Sequence, residues 1–307
     1  MTKHIVVVGS LNMDLVVRTA RYPLPGETII GSDFNTFPGG KGSNQAVAAA
    51  RLGGRVKMIG RVGADVYGDT LLQTVTRSGV DTSFIRRDAQ AATGIALITV
   101  DTSGQNTIVV AQGANARLTP EDVSAAEEAF NGASVLLIQL ESPLPSVARA
   151  IELARKHGAQ VVLNPAPAQV VEAAFLSGVD YLIPNQNELA SLTGIPSVPE
   201  AVSVLRSWGV QRAIVTLGGE GVLLVDADQE VHLPAHRVQV VDTTAAGDAF
   251  VGAFTVALNE GLPIRPAAAW ANAAGALAVT RAGAQPSLPT RAELDLFLRK
   301  IINKGGE

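Results

Sequence analysis

The sequence predicts an α/β domain with a mostly parallel central sheet, helices on both faces, and a small β-sheet projecting as a lid. Three observations carry this. Short, continuously apolar runs recur at His4–Val8, 135–139, Gln160–Leu163, 181–184 and 213–217, as expected of strands covered on both faces. Helical stretches at 120–130, 146–157, 188–193 and 200–208 lie between them, and such alternation implies right-handed βαβ crossovers. Segments 14–38 and 94–111 break that rhythm and alternate like exposed antiparallel strands. Within the second, 93–101, a turn at 102–106 and 107–110 read as a hairpin.

The bulk composition bounds the answer. The 307 residues are 47% hydrophobic and 17% charged, the balance of a compact globular enzyme. No internal repeat or low-complexity tract divides the chain, so one domain over 1–307 is expected, with the lid inserted in it. A net charge of −4 argues against a nucleic-acid partner, which usually meets a basic face. With no cysteine, disulfides, zinc thiolates and thiol catalysis are excluded. The four histidines lack H-E-x-x-H spacing, so a histidine metal site is not expected. The run after Met1-Thr2-Lys3-His4 is too short for a secretory leader, and no apolar stretch is long enough for a membrane span. A cytoplasmic protein with a frayed tail at 304–307 is the default expectation.

Two segments carry chemistry. Gly39-Gly40-Lys41-Gly42-Ser43-Asn44 precedes a run of small residues at 45–52. Glycines let backbone approach a ligand, and the helix that follows offers free N–H groups. The spacing is not that of a Walker loop, so the segment reads either as a plain glycine turn or as a polyol or phosphate site. Asp242-Thr243-Thr244-Ala245-Ala246-Gly247-Asp248 leads into an apolar helix at 249–259. Small residues at a helix start expose successive N–H groups, which hold anions. Asp248 is then either a cap and dipole partner or a base beside an anion hole, placed to take a proton from a hydroxyl attacking phosphorus.

Together these segments resemble the signatures of the ribokinase-like (PfkB) family of carbohydrate kinases, in order and across essentially the whole chain. Gly9-Ser10-Leu11-Asn12-Met13-Asp14 is similar to that family's substrate-binding strand end. Gln139-Leu140-Glu141-Ser142-Pro143-Leu144, Asn164-Pro165-Ala166-Pro167-Ala168, Pro184-Asn185-Gln186-Asn187-Glu188 and Ala282-Gly283-Ala284-Gln285-Pro286-Ser287 resemble its ribose-phosphorylating branch. The chain departs at Ser43, where many members carry alanine, and at Asn272, where the adenine-side residue is often histidine.

The resemblance implies ATP-dependent phosphorylation of D-ribose at O5, with Asp248 as catalytic base and Ala245, Ala246 and Gly247 as anion hole. It implies sugar contacts from Asn12, Met13, Asp14, Gly40, Lys41, Gly42, Ser43, Asn44, Glu141 and Asp248. Its nucleotide contacts map to Asn185, Thr216, Leu217, Gly218, Gly219, Glu220, Gly221, Gly247 and Asn272. Glu188 would position magnesium indirectly. A potassium site maps to Asp242, Thr244, Ala278, Arg281, Gly283 and Ser287, mostly through carbonyls. A homodimer through the lid sheet is also implied.

Other readings remain in view: a kinase for deoxyribose, fructose or a nucleoside such as pseudouridine, or a non-catalytic sensor on the same scaffold. A nucleoside pocket calls for more aromatics than 8 Phe, 3 Tyr and 2 Trp supply. Retention of Gly247 and Asp248 argues against a sensor, and the missing G-x-G-x-x-G after the first strand against a nicotinamide dehydrogenase.

Overall fold

A computed structural model describes residues 3–226 and 229–304. Of the tail at 304–307, expected to fray, Lys304 ends the last helix and 305–307 lie outside the described residues. The chain opens with β1 (His4–Val8), β2 (Asn12–Arg18) and β3 (Phe34–Gly39), then α1 (Lys41–Arg51). Next come β4 (Val56–Gly63), α2 (Val66–Arg77), β5 (Val80–Asp88), β6 (Gly94–Val100) and β7 (Asn106–Ala111). The middle holds α3 (Pro120–Ala125), β8 (Ala133–Ile138), α4 (Leu144–Lys156), β9 (Gln160–Leu163), α5 (Ala173–Leu176) and β10 (Tyr181–Leu182). Then follow α6 (Gln186–Thr193), α7 (Val198–Ser207), β11 (Arg212–Thr216), β12 (Val222–Asp226) and β13 (Gln229–Leu233). Three helices close the chain: α8 (Ala246–Asn259), α9 (Ile264–Ala278) and α10 (Arg291–Lys304).

The larger sheet runs β13-β12-β11-β10-β9-β8-β1-β4-β5. Every pair from β11 to β5 is parallel, and the β11/β12 and β12/β13 pairs are antiparallel. Alternate residues of β1 feed two cores: Ile5 and Val7 point to one face, Val6 and Val8 to the other. Helices α1, α8 and α9 cover the first face, and α4, α6 and α7 the second. Both neighbours of β1 are parallel to it, and the chain winds outward from it in opposite directions. The β1/β8 junction is thus the topological switch point, where open α/β sheets place their ligands.

The second sheet has the order β3-β2-β6-β7. The expected hairpin is present as the antiparallel β6/β7 pair. The expectation of wholly antiparallel pairing is corrected at the centre, where β2 and β6 are parallel from Asn12↔Gly94 to Arg18↔Val100. Both strands leave the body from the same end of the larger sheet, which forces them to run side by side. One face of this sheet packs on the body through Met13, Leu15 and Ile95, against the cluster that includes Tyr67 and Leu72 of α2. The other face carries Asn12 and Asp14.

The helix expected over 120–130 is broken. α3 stops at Ala125, and Glu127–Phe130 forms a 3-10 turn that sinks Ala129 and Phe130 into the core.

Helices α1 and α8 cross with unusual closeness. A Cβ added at Gly252 would lie 2.6 Å from Ala48 Cβ and 3.0 Å from both Ala49 N and Gln45 O. This explains the small-residue run after Asn44: large side chains would hold the two helix starts apart. Helix propensity alone makes Gly252→Ala stabilising by about 1 kcal/mol. The crossing predicts the opposite sign, a loss of about 1–3 kcal/mol from overpacking against backbone. Urea unfolding with an unchanged m-value would measure it.

Candidate active site

Residues from the carboxyl ends of the parallel strands converge at the switch point. Ser10 and Asn12 follow β1, Glu141 follows β8, Asn164 follows β9, Asn185 follows β10, and Thr216 ends β11. Ser10 Oγ donates to Glu141 Oε2, and Asn12 Nδ2 lies 3.5 Å from the same oxygen. Lys41 N, at the start of α1, donates to it at 3.0 Å. The glycines here are steric requirements. A Cβ at Gly42 would lie 2.5 Å from Ser10 N and 2.6 Å from the Gly9 carbonyl carbon. Gly40 has φ 90°, and its Cβ would meet Asn12 N at 2.7 Å.

Asp248 stands in the first turn of α8 and is buried. Asn44 Nδ2 donates to its Oδ2 at 3.0 Å, and Gln45 Nε2 to its Oδ1 at 2.9 Å. Gln45 also donates to Asn164 Oδ1 at 2.9 Å and accepts from Gln139 Nε2 at 2.6 Å. Asn44 Oδ1 is buried and has no partner, an acceptor left free beside the carboxylate. Ala245, the N-cap of α8, has φ 58°, the one left-handed non-glycine among the described residues. The helix start leaves its first N–H groups without intrahelical acceptors.

A cavity of about 180 Å³ opens beside Asp248, lined by Lys41, Asn164, Ile183, Asn185, Glu188, Thr216, Ala245, Gly247, Asp248 and Val251. Glu188 closes a capping box, accepting from Asn185 N at 2.9 Å while its own N–H reaches Asn185 Oδ1 at 2.8 Å. Burial pushes the Glu188 carboxyl above its ordinary pKa. Burial opposes the Lys41 ammonium, but Asp248, Glu141, Glu188 and Asp14 outweigh it and hold its pKa above the usual value. A second cavity of about 440 Å³ shares Thr216 and Gly247 with the first. Its walls are mostly apolar or backbone: Gly218, Gly219, Gly221, Val222, Val238, Val240, Phe250, Gly275, Ala276 and Val279, with Asn272, His236 and Arg237 at the side. His236 stacks edge-on against Phe297, and burial lowers its pKa.

The structure therefore brings together Asn12, Asp14, Gly40, Lys41, Gly42, Asn44, Glu141 and Asp248 on one side. Thr216, the glycines of 218–221, Gly247 and Asn272 gather on the other. Several expected residues stand apart from both. Met13 is buried in the core with its side chain away from Asp14. Ser43 is fully buried, its N–H donating to Ser10 O at 2.9 Å and its hydroxyl to Gly39 O. Leu217 packs on the second core, and Leu217 and Glu220 do not line the larger cavity. Asn272 does line the larger cavity, with its Nδ2 donating to Pro234 O at 2.8 Å. The structure adds Ser10, Gln45, Gln139 and His236 to these groups, which sequence reasoning did not single out. A polar residue just past an apolar strand run was the signal for Ser10 and Gln139.

Asp242 ties two segments together. Its Oδ1 accepts from Thr244 N at 2.9 Å and Thr244 Oγ1 at 2.6 Å, and its Oδ2 from Gly283 N at 2.8 Å. Burial opposes its ionisation, but the bonds from Thr244 and Gly283 prevail and hold its pKa below the usual value. Ala278 O already accepts from Arg281 N at 3.1 Å, the Arg281 guanidinium pairs with Glu293, and Ser287 Oγ donates to Ala284 O.

Residues 2–291 match the profile described as pfkB family carbohydrate kinase. The chain belongs to the PfkB family. This PfkB kinase is 41% identical to a ribokinase of Haemophilus influenzae over 97% of its own length and 99% of the relative's. It is 37% identical to a deoxyribokinase of Salmonella typhi, over 96% and 98% of the two chains. A solved Arabidopsis thaliana ribokinase complexed with ribose and ATP matches with a TM-score of 0.91 at 33% identity, covering 97% and 99%.

Asp14 offers a pH test. Burial, with Glu141 and Asp248 nearby, pushes its carboxyl up to about 7, Lys41 opposing. A folded-state pKa above the unfolded value makes ionised Asp14 destabilising. The cost starts near the unfolded pKa of about 4, grows with pH and levels off above about 7. Asp14→Asn should therefore raise the thermal midpoint by a few degrees at pH 8 and by less at pH 5. An equal shift at both pH values would refute the assignment.

Proposed function

We propose that this PfkB kinase transfers the γ-phosphoryl group of ATP to O5 of D-ribose, giving D-ribose 5-phosphate and ADP, with Asp248 as general base. The observation that carries the reading is the position of Asp248. Both its oxygens are held by α1 amides, at the helix start that separates the acidic cluster from the large cavity. A neutral polyol needs acceptors, and Asp14, Glu141 and the free Asn44 Oδ1 supply them. The nucleotide takes the larger cavity, its polyphosphate running toward Gly247. Asp248 accepts the proton of the attacking hydroxyl. The N–H groups at Ala245–Gly247 and the Lys41 ammonium stabilise charge on the phosphoryl oxygens.

Asn185 and Glu188 fit a magnesium ion held through water, since a buried carboxylate lines the phosphate-side cavity. When bound, the ion neutralises charge on the phosphates. Asp242, with carbonyls of the 278–287 loop and Thr244, fits potassium. Its ionised carboxylate already joins that loop to the anion-hole turn, and the ion would fix the turn's shape. The projecting sheet acts as a lid over the sugar and pairs with a second copy. Its outer strand β7 is exposed throughout and carries Ile108, Val109 and Val110.

A coupled assay against ribose, 2-deoxyribose, fructose, adenosine and pseudouridine decides the acceptor, with ribose giving the highest kcat/KM. Asp248→Asn should lower kcat by about 10²–10⁴ while calorimetry still registers ribose and ATP. Near-normal turnover would sink the base assignment. Replacing sodium chloride by potassium chloride at equal ionic strength should raise activity several-fold, and Asp242→Ala should remove that response. Sedimentation at micromolar concentration should show a dimer, and monomer alone would refute the lid pairing.

A further inference from the structure

Ser43 lies in the sugar-side signature, yet its hydroxyl does not face a ligand. The residue is 0% exposed, and the hydroxyl donates to Gly39 O and lies 3.1 Å from Gly40 O. These carbonyls belong to the turn that begins α1 and presents Gly40 and Lys41. A helical serine bonding four residues back is common and needs no further partner. Here a third group arrives from 242 residues away: Gln285 Nε2 donates to Ser43 Oγ at 3.3 Å.

Gln285 is 2% exposed and sits in the 3-10 turn Gln285–Ser287. Arg51 Nη1 fixes this turn, donating to Gln285 O at 2.6 Å and Leu288 O at 3.1 Å. Gln285 Oε1 is buried and unpartnered. A buried acceptor without a donor is destabilising, so stability does not account for an amide at this place. The other end of the same loop reaches the phosphate side. Gly283 N donates to Asp242 Oδ2 at 2.8 Å, and Asp242 Oδ1 holds Thr244 at the entrance to the anion-hole turn. One short loop is thus hydrogen-bonded to both turns.

We infer that Ser43 and Gln285 are positioning residues that couple the two halves of the site, so that ordering of the Gly39–Gly40 turn by sugar is transmitted through the 283–287 loop to the anion-hole turn and raises nucleotide affinity. The inference rests on the ribose and ATP reading above. By linkage the same factor must appear when the ligands are added in reverse order.

The test is calorimetry on the intact chain with D-ribose and a non-hydrolysable β,γ-imido analogue of ATP. In the wild type, saturating ribose should tighten analogue binding by about fivefold or more. In Ser43→Ala and in Gln285→Ala the ratio should fall toward one, and the double variant should fall no further than either single, because both cut one path. Val202→Ala, which loosens the second core under α7 on the opposite face of the sheet from α1 and α8, should keep the wild-type ratio. This separates positioning from general destabilisation. A wild-type ratio of one, or an undiminished ratio in both single variants, overturns the coupling while leaving ribose phosphorylation standing. Absence of any ribose binding overturns the underlying reading instead.

Discussion

The site depends on two amide side chains of α1 holding one carboxylate of α8. Asn44 and Gln45 come from the first fifth of the chain and Asp248 from the last, and no local propensity brings them together. They meet because α1 and α8 lie on the same face of the sheet and cross with backbone nearly in contact at Gly252, Ala48 and Ala49. The alanine- and glycine-rich character of both helices is therefore a positional requirement of the site. Gln45 extends the constraint, because its amide also bonds Asn164 and Gln139, which follow β9 and β8. The carboxylate is consequently referenced to the central sheet as well as to its own helix. A carboxylate whose two oxygens are both held in this way has little freedom left to lose on binding a ligand.

Electrostatics divide the site into two chemically different halves. Around Lys41 stand Asp14, Glu141, Glu188 and Asp248, more acid than one ammonium can balance. Burial first, and Glu141 and Asp248 after it, push the Asp14 carboxyl above its ordinary pKa. Such a cluster repels a bare polyanion and suits a neutral polyol rich in hydroxyl donors. Across Gly247 the surroundings change: the larger cavity has apolar and glycine walls and the start of α8 at its edge. Backbone N–H groups and a helix N-terminus favour phosphate there, and Arg237 also lines that cavity. The boundary between the halves is where a phosphoryl group would pass.

Much of this was legible in the sequence, for reasons that differ by element. Buried parallel strands such as His4–Val8 and Gln160–Leu163 show as unbroken apolar runs because both faces are covered. Helices α4, α6 and α7 differ from expectation only at their ends, starting at Leu144, Gln186 and Val198 where 146, 188 and 200 were read. Strand direction in the lid was not legible. Alternation reports which face is exposed, and β2 and β6 alternate alike whether parallel or antiparallel. The break at Ala126 escaped notice because burial of Phe130, a tertiary demand, overrides a locally acceptable helix. Within the site, signature spacing located Asp248, Lys41 and Asn44, but residue type could not say which way a side chain points. Met13 and Ser43 sit inside the signatures and turn into the core, whereas Ser10 turns toward Glu141 and Gln45 toward Asp248.

Ala245 shows how the remaining strain is distributed. An L-residue in the left-handed region costs roughly 1–2 kcal/mol, and a glycine there would cost far less. The conformation persists because the segment is fixed on both sides. Upstream, Asp242 is bonded to Thr244 and to Gly283 of a distant loop. Downstream, Asp248 is held by Asn44 and Gln45. With both ends determined, the few residues between them can close only by an abrupt turn, and Ala245 takes it. An alanine at this point also narrows the turn's alternatives when the site is empty, since it has fewer conformations available than glycine. The strain therefore contributes to a preformed turn at the start of α8, and the hydrogen bonds at Asp242 and Asp248 are what sustain it.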